Sequence, residues 1–141
     1  MLWPDHATFE VSTKAAIYNE SGTKVLIMKY RKGIHYGLPG GHLEHGETPH
    51  EAMQRELREE LGVTTDFSLK PADFFVHEGN TKHPRLILGY SGTIREDTPF
   101  VFASHDYEEE GVWMDHGTFA EAPLADGYRA FVEKHWPLPT V

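Results

Sequence analysis

Three glutamates, Glu56, Glu59 and Glu60, stand at i, i+3 and i+4 in the run RELREELG. On a helix those positions share one face, with Cβ atoms roughly 5 to 6 Å apart. Only Ala52 joins them there as an uncharged neighbour. Carboxylates so placed repel one another, each pair costing a helix a few tenths of a kcal/mol. A hard divalent cation reverses that sign, because it takes oxygen ligands, and Mg²⁺ is the usual occupant of carboxylate sites that also hold phosphates. The competing use of the same residues is a solvated acidic face offset by Arg55 and Arg58.

The segment that must position these carboxylates reads as a loop feeding a short helix. Thr48 can cap it, Pro49 suits its first position, and Glu51 completes a capping box. Gly62 ends it. Met53, Leu57 and Leu61 form the apolar stripe, which leaves Gln54 and Arg58 on the side facing water. Upstream, Leu38, Pro39, Gly40 and Gly41 form a tight turn where backbone can approach a ligand and a carbonyl can join the carboxylates on a metal.

Taken together, Gly41, then Glu47, then Arg55, Glu56, Leu57, Arg58, Glu59, Glu60, Leu61, Gly62 and Val63 resemble the signature box of the Nudix hydrolases without a departure. The resemblance implies an α/β fold, an α/β/α sandwich with a mixed β-sheet. It also implies hydrolysis of the diphosphate bond of a nucleoside diphosphate linked to another moiety. Glu56, Glu59 and Glu60, with the Gly40 carbonyl, are then the expected ligands of Mg²⁺ or Mn²⁺. Glu56 or Glu59 is the expected base for the attacking water. A further acidic ligand is expected near Trp113, and of Glu108, Glu109 and Glu110 the choice falls on Glu108. Glu47 and Arg55 are expected to brace the loop against the helix rather than touch substrate.

Arg31, Lys32, His35, Tyr36 and His42 lie just before or within the box and can meet phosphate or a base. Arg31, Tyr36 and His42 are the candidates carried forward. Arg85 joins them from a later strand, where it can line a nucleoside pocket together with Tyr90. The ten histidines lack the spacing of a zinc-binding helix, and His42, His45 and His50 read as polar surface. The window Glu78 to Thr81 holds neither the proline nor the tyrosine that marks certain Nudix subfamilies. That window supports no subfamily, and the compact single domain leaves a (d)NTP pyrophosphatase slightly ahead of a nucleotide-sugar pyrophosphatase. The rival from another class is a Nudix-fold module that binds a nucleotide without cleaving it; such proteins usually lack glutamates of the box, and none is missing here.

A chain of 141 residues is most simply one domain. It has no cysteine, which removes disulfide scaffolds, thiolate metal sites and a cysteine nucleophile. Thirteen Lys plus Arg against 22 Asp plus Glu give a net charge of −9, a poor surface for a nucleic-acid polymer or a membrane. The expected partner is a small nucleotide, with a homodimer as the candidate assembly. With no signal-like segment and no long apolar run, the expected location is cytoplasmic.

Around the helix, Thr13 to Tyr18 and Lys24 to Tyr30 read as a hairpin across the turn Asn19 to Gly22. Phe67 to Ser68 and Phe74 to Val76 read as strand pieces interrupted by Pro71, and Arg85 to Ile94 as a longer strand. A short Val101 to Phe102 piece, a run from Tyr107 to Trp113 and a closing helix from Tyr128 to His135 complete the expected elements.

Overall fold

The computed structural model describes residues 6–30, 35–63, 68–77, 84–102 and 110–138. Its elements are β1 (Glu10–Asn19), β2 (Lys24–Tyr30), β3 (His35–Gly37), β4 (Gly40–His42), α1 (Pro49–Leu61), β5 (Lys70–His77), β6 (Arg85–Ile94), β7 (Glu110–Asp115), α2 (His116–Glu121) and α3 (Asp126–His135).

Strand β1 is the spine. It pairs in parallel with β6 over its whole length, from Glu10↔Arg85 to Asn19↔Ile94, while the other strand pairs are antiparallel, so the sheet is mixed. Side chains alternate across a strand, and β1 buries both sets. Ala15 and Ile17 pack with Met53, Leu57 and Leu61 of α1. Ala16 and Tyr18 pack with Phe119 of α2 and Tyr128, Phe131 and Val132 of α3. Burial on both sides explains why Ala15 to Tyr18 read as an unbroken apolar run. Helices thus cover the two faces of a mixed sheet, the α/β/α sandwich that the resemblance implied.

The hairpin forks. β1 and β2 meet at Tyr18↔Val25. Towards its start β1 pairs instead with β4, Ser12↔His42 to Lys14↔Gly40, and the far end of β2 pairs with β3, Met28↔Gly37 to Tyr30↔His35. The Leu38–Pro39 turn therefore sits in the fork, with Leu38 fully buried. Three-residue strands carry too little alternation to be read locally, and here flanking strands impose the ladder.

Helix α1 matches its expected caps. Thr48 Oγ1 accepts from Glu51 N–H and the Glu51 carboxylate accepts from Thr48 N–H, both at 3.2 Å. Gly62 closes the helix at φ 65°, a left-handed conformation that glycine adopts cheaply, and a side chain there would strike the Val101 carbonyl. Arg58 is exposed as expected, but Gln54 is half-buried and its Nε2 has no hydrogen-bond partner among the described residues.

Other expectations need correction. β5 runs straight through Pro71, because it is an edge strand whose unpaired side tolerates a missing N–H, with a register shift between Pro71 and Asp73. Ser68 and the Val101–Phe102 pair are not in strands, and Phe67 lies outside the described residues. β7 ends two residues beyond Trp113, with residues 107–109 outside the described set. Helix α2 was not foreseen; it is short, and Asp115 caps it by accepting from Thr118 N–H at 2.8 Å. No helix among the described residues is long and apolar enough to cross a membrane.

Candidate active site

The glycine turn and α1 meet where β4 leaves the fork. Gly40 has φ 132°, and a Cβ there would lie 2.0 Å from the Thr13 carbonyl, so only glycine lets this backbone lie so close to β1. Gly40 N–H points to the Glu60 carboxylate, 3.3 and 3.4 Å from its two oxygens. Glu60 is buried, at 8% exposure. Next to it, a Cβ on Gly41 would stand 2.5 Å from Glu56 Oε1. The Glu56 carboxylate fills the notch that the missing side chain leaves.

Arg55 organises the remaining charge. Its Nε and Nη2 donate to the two oxygens of Glu47 at 2.7 and 3.1 Å, a bidentate fork. Its Nη1 donates to Glu56 at 3.0 Å and Glu59 at 3.2 Å, and Nη2 also reaches the His42 carbonyl at 3.0 Å. Glu47 in turn accepts from Glu44 N–H at 2.8 Å. The Arg55 hydrogen bond, followed by that amide, holds the Glu47 carboxyl below its ordinary range. The same pairing with Glu47 pushes the Arg55 guanidinium further up. Both residues thus tie the box loop to α1.

Among the described residues, no three carboxylate or imidazole groups are placed together so as to hold a metal ion. The Glu59 side chain is 58% exposed while that of Glu56 is 14% exposed, so the expected trio is split between the glycine turn and solvent. The donor chemistry still fits a hard divalent ion. Glu56 and Glu60 already lie against the Gly40–Gly41 backbone, every donor is an oxygen, and Glu59 is tethered beside them through Arg55.

On the other face of the sheet the charges are mixed, Lys14 and Arg85 lying on the side of Glu10. The register places Ser12 and Lys14 on the side of Arg85, Ile87 and Gly89, the face that packs on α3. Ser12 Oγ and Arg85 Nε are both buried without a hydrogen-bond partner among the described residues. The Arg85 Nε stands 3.9 Å from Glu10. His77 stacks on Tyr128 at 4.8 Å and 13°. Burial, then the charges of Arg85 and Lys14, lowers the His77 pKa from its ordinary value. Tyr36 joins the same side through the buried cluster, with Lys29 Nζ 5.6 Å from its ring.

Of the sequence candidates, Tyr36 and Arg85 are thus brought to one face. Tyr90 is not: it is buried on the α1 side, 6.4 Å from the His50 ring, because residues 85 and 90 have opposite parity on β6. His42 lies on the rim, 56% exposed and 3.5 Å from Glu10. Arg31 and Glu108 lie outside the described residues. Lys14, Ser12 and His77 escaped the sequence reading. For Lys14 there was a signal, since it shares strand parity with the apolar Ala16 and Tyr18.

Comparison with known proteins agrees with this architecture. The 8-oxo-dGTP diphosphatase of Escherichia coli (strain K12) is 59% identical over 33 residues, 23% of this chain and 26% of that protein, so the match spans about a quarter of that relative. The solved structure of the E. coli dihydroneopterin triphosphate pyrophosphohydrolase has a TM-score of 0.74 at 18% identity, covering 92% of this chain and 97% of that one. The NUDIX domain of Shewanella oneidensis NrtR, complexed with ADP ribose, gives 0.74 at 15% identity, covering 94% and 90%. At such identities the structural likeness is one of fold. The family model of the NUDIX domain matches residues 8–135, a span that holds the acidic helix, the glycine turn and both faces of the sheet, and the chain belongs to the Nudix hydrolase family.

Proposed function

We propose that this chain is a metal-dependent hydrolase acting in the cytoplasm on a nucleoside diphosphate linked to a further group, with a nucleoside triphosphate as the first choice of substrate. The observation that carries this reading is the seating of Glu56 and Glu60 against the Gly40–Gly41 backbone, beside a tethered Glu59. Glu56, Glu59, Glu60 and the Gly40 carbonyl would hold Mg²⁺ or Mn²⁺, with Glu108 as the expected additional ligand. When bound, such an ion neutralises phosphate oxygens and lowers the pKa of an attacking water.

The chain's own residues supply the rest. Glu56 or Glu59 accepts the proton of that water. Arg55 keeps Glu56 in place and, with Glu47, keeps the loop on the helix. The buried donors on the α3 face support a substrate whose oxygens reach past the glycine turn, since orphaned polar groups are costly unless a ligand satisfies them. Arg85 and Tyr36 are the contacts assigned to the nucleotide there, with His42 on the rim; Arg31 is proposed as a further phosphate contact from its place in the sequence alone.

The named activity of the partial sequence relative, an 8-oxo-dGTP diphosphatase, favours a triphosphate. The complete set of box glutamates favours cleavage over binding alone. A panel of nucleoside triphosphates, nucleotide sugars and dinucleotides, incubated with Mg²⁺ and assayed for pyrophosphate, phosphate and AMP, tests both points. Pyrophosphate release that stops in EDTA and resumes with Mg²⁺ or Mn²⁺ is expected. Turnover that persists in chelator, or binding without any turnover across the panel, sinks the proposal.

A further inference from the structure

The carbonyl on which the metal reading depends already has a cation on it. Lys14 Nζ donates to the Gly40 carbonyl at 2.9 Å and to the Leu38 carbonyl at 3.3 Å. Lys14 faces Gly40 across the β1/β4 ladder and Gly89 across the β1/β6 ladder, so neighbouring strands flank it on both sides. Gly40 has no freedom to turn its carbonyl elsewhere. Its backbone is wedged against Thr13 and its N–H is directed at Glu60.

We propose that Lys14 is a positioning residue that acts as the resident counter-cation of this site. Its ammonium and the divalent ion take the same Gly40 oxygen, and the lysine holds ion affinity down until it is displaced. Two positive charges do not share one carbonyl oxygen without strong repulsion in a partly desolvated site. A displaced Lys14 side chain remains on the α3 face, beside the unpartnered Ser12 hydroxyl and the Arg85 guanidinium, where a phosphate oxygen would receive it. The site therefore binds the ion weakly alone and more tightly once an anionic substrate draws the ammonium away. This inference rests on the proposed metal site, and it assigns to Lys14 a role separate from those of the box residues.

The test measures ion binding rather than turnover. Mn²⁺ affinity of the full chain, without nucleotide, is read by electron paramagnetic resonance for wild type, Lys14→Met, Lys14→Gln and Arg85→Met, with circular dichroism as the check on folding. Lys14→Met is expected to bind Mn²⁺ about tenfold tighter or more, since one removed like charge at contact distance readily reaches that scale. Arg85→Met removes a cation from the same face without touching the Gly40 carbonyl, and its affinity is expected to stay within about twofold. Lys14→Gln should fall between the two, and it carries the test if Lys14→Met does not fold. Unchanged or weaker Mn²⁺ binding in folded Lys14 variants overturns the proposal while leaving the metal site standing. Equal tightening in Arg85→Met also overturns it, because the effect would then be a general field and not a shared carbonyl. Wild-type protein that binds no Mn²⁺ overturns the metal reading and this inference together.

Discussion

On the α1 side of the Gly40 turn every charged group comes from one continuous stretch, Gly40 to Glu60, and the side chains are already tied to each other through Arg55. On the α3 side Ser12 and Lys14 come from β1, His77 from β5 and Arg85 from β6. Ser12 Oγ and Arg85 Nε have no hydrogen-bond partner among the described residues, and on the α1 side the same holds for Thr13 Oγ1 and Gln54 Nε2. The first face is acidic and internally braced; the second mixes the cations of Lys14 and Arg85 with the carboxylate of Glu10, in a chain of net charge −9. Bracing suits a site that must hold its geometry before anything binds, since preorganised groups cost no rearrangement during reaction. Unsatisfied donors suit a surface that a ligand completes.

The largest expected effect tests the acidic face against its own exposed side. Glu60→Gln keeps shape but removes a ligand charge, and Mg²⁺-dependent turnover should fall by about a hundredfold or more. Arg58→Gln, on the exposed side of the same helix, should stay within about 0.5 kcal/mol in stability and leave turnover near wild type. Comparable damage from both, in folded protein, would erase the distinction between the two sides of α1.

Next comes the α3 face. Arg85→Gln should raise KM about tenfold with kcat little changed, because a lost charge-assisted contact to bound substrate is worth roughly that factor. A fall in kcat at constant KM would move Arg85 from substrate binding to the chemistry, and would blur the division of labour between the faces.

A smaller effect separates bracing from charge. Arg55→Lys keeps the charge but loses the fork to Glu47. The melting temperature should drop by roughly 4 °C, the shift that about 1 kcal/mol produces in a chain of this size. An unchanged melting curve would show that the bidentate geometry contributes nothing to stability.

The smallest effect is in pH, and it places the faces in different windows. His77 has its pKa lowered in the fold, so the unfolded chain binds the proton more readily, and its contribution is present above the ordinary value of 6.5 and is lost as pH falls from there through the lowered one. Glu47 is also lowered, so its contribution is present above about 4.5 and disappears as pH falls through its folded pKa. Denaturation midpoints followed from pH 8 to pH 3 should thus decline in two stages. His77→Gln should flatten the upper stage alone, whereas Glu47→Gln should only reduce the lower, since Asp73, Glu96, Asp97 and Asp115 are lowered there as well; a His77→Gln profile identical to wild type would remove the assigned cause.

How far the sequence revealed the molecule follows the same division. The cap at Thr48, the stop at Gly62 and the shared position of Glu56 and Glu60 were legible because one helical turn relates them. The exposure of Glu59 was not, since helical spacing alone does not say how far the neighbouring turn covers a face. Lys14 and His77 are brought together only by strand pairings that a linear pattern does not encode. Pro71 misled because its cost depends on whether the strand is an edge.

The parallel pairing of β1 with β6 has one more consequence. It joins residue 10 to residue 85, and the glycine turn with all of α1 lies in the intervening chain. Contacts so far apart in sequence close late, and topologies ruled by them fold in milliseconds to seconds rather than microseconds. The helix and its loop, stitched by neighbours in sequence, can take shape before that closure. The Lys14–Arg85 face exists only after it, so in refolding the capped helix is expected to form before that face, an order that hydrogen-exchange labelling during refolding would check.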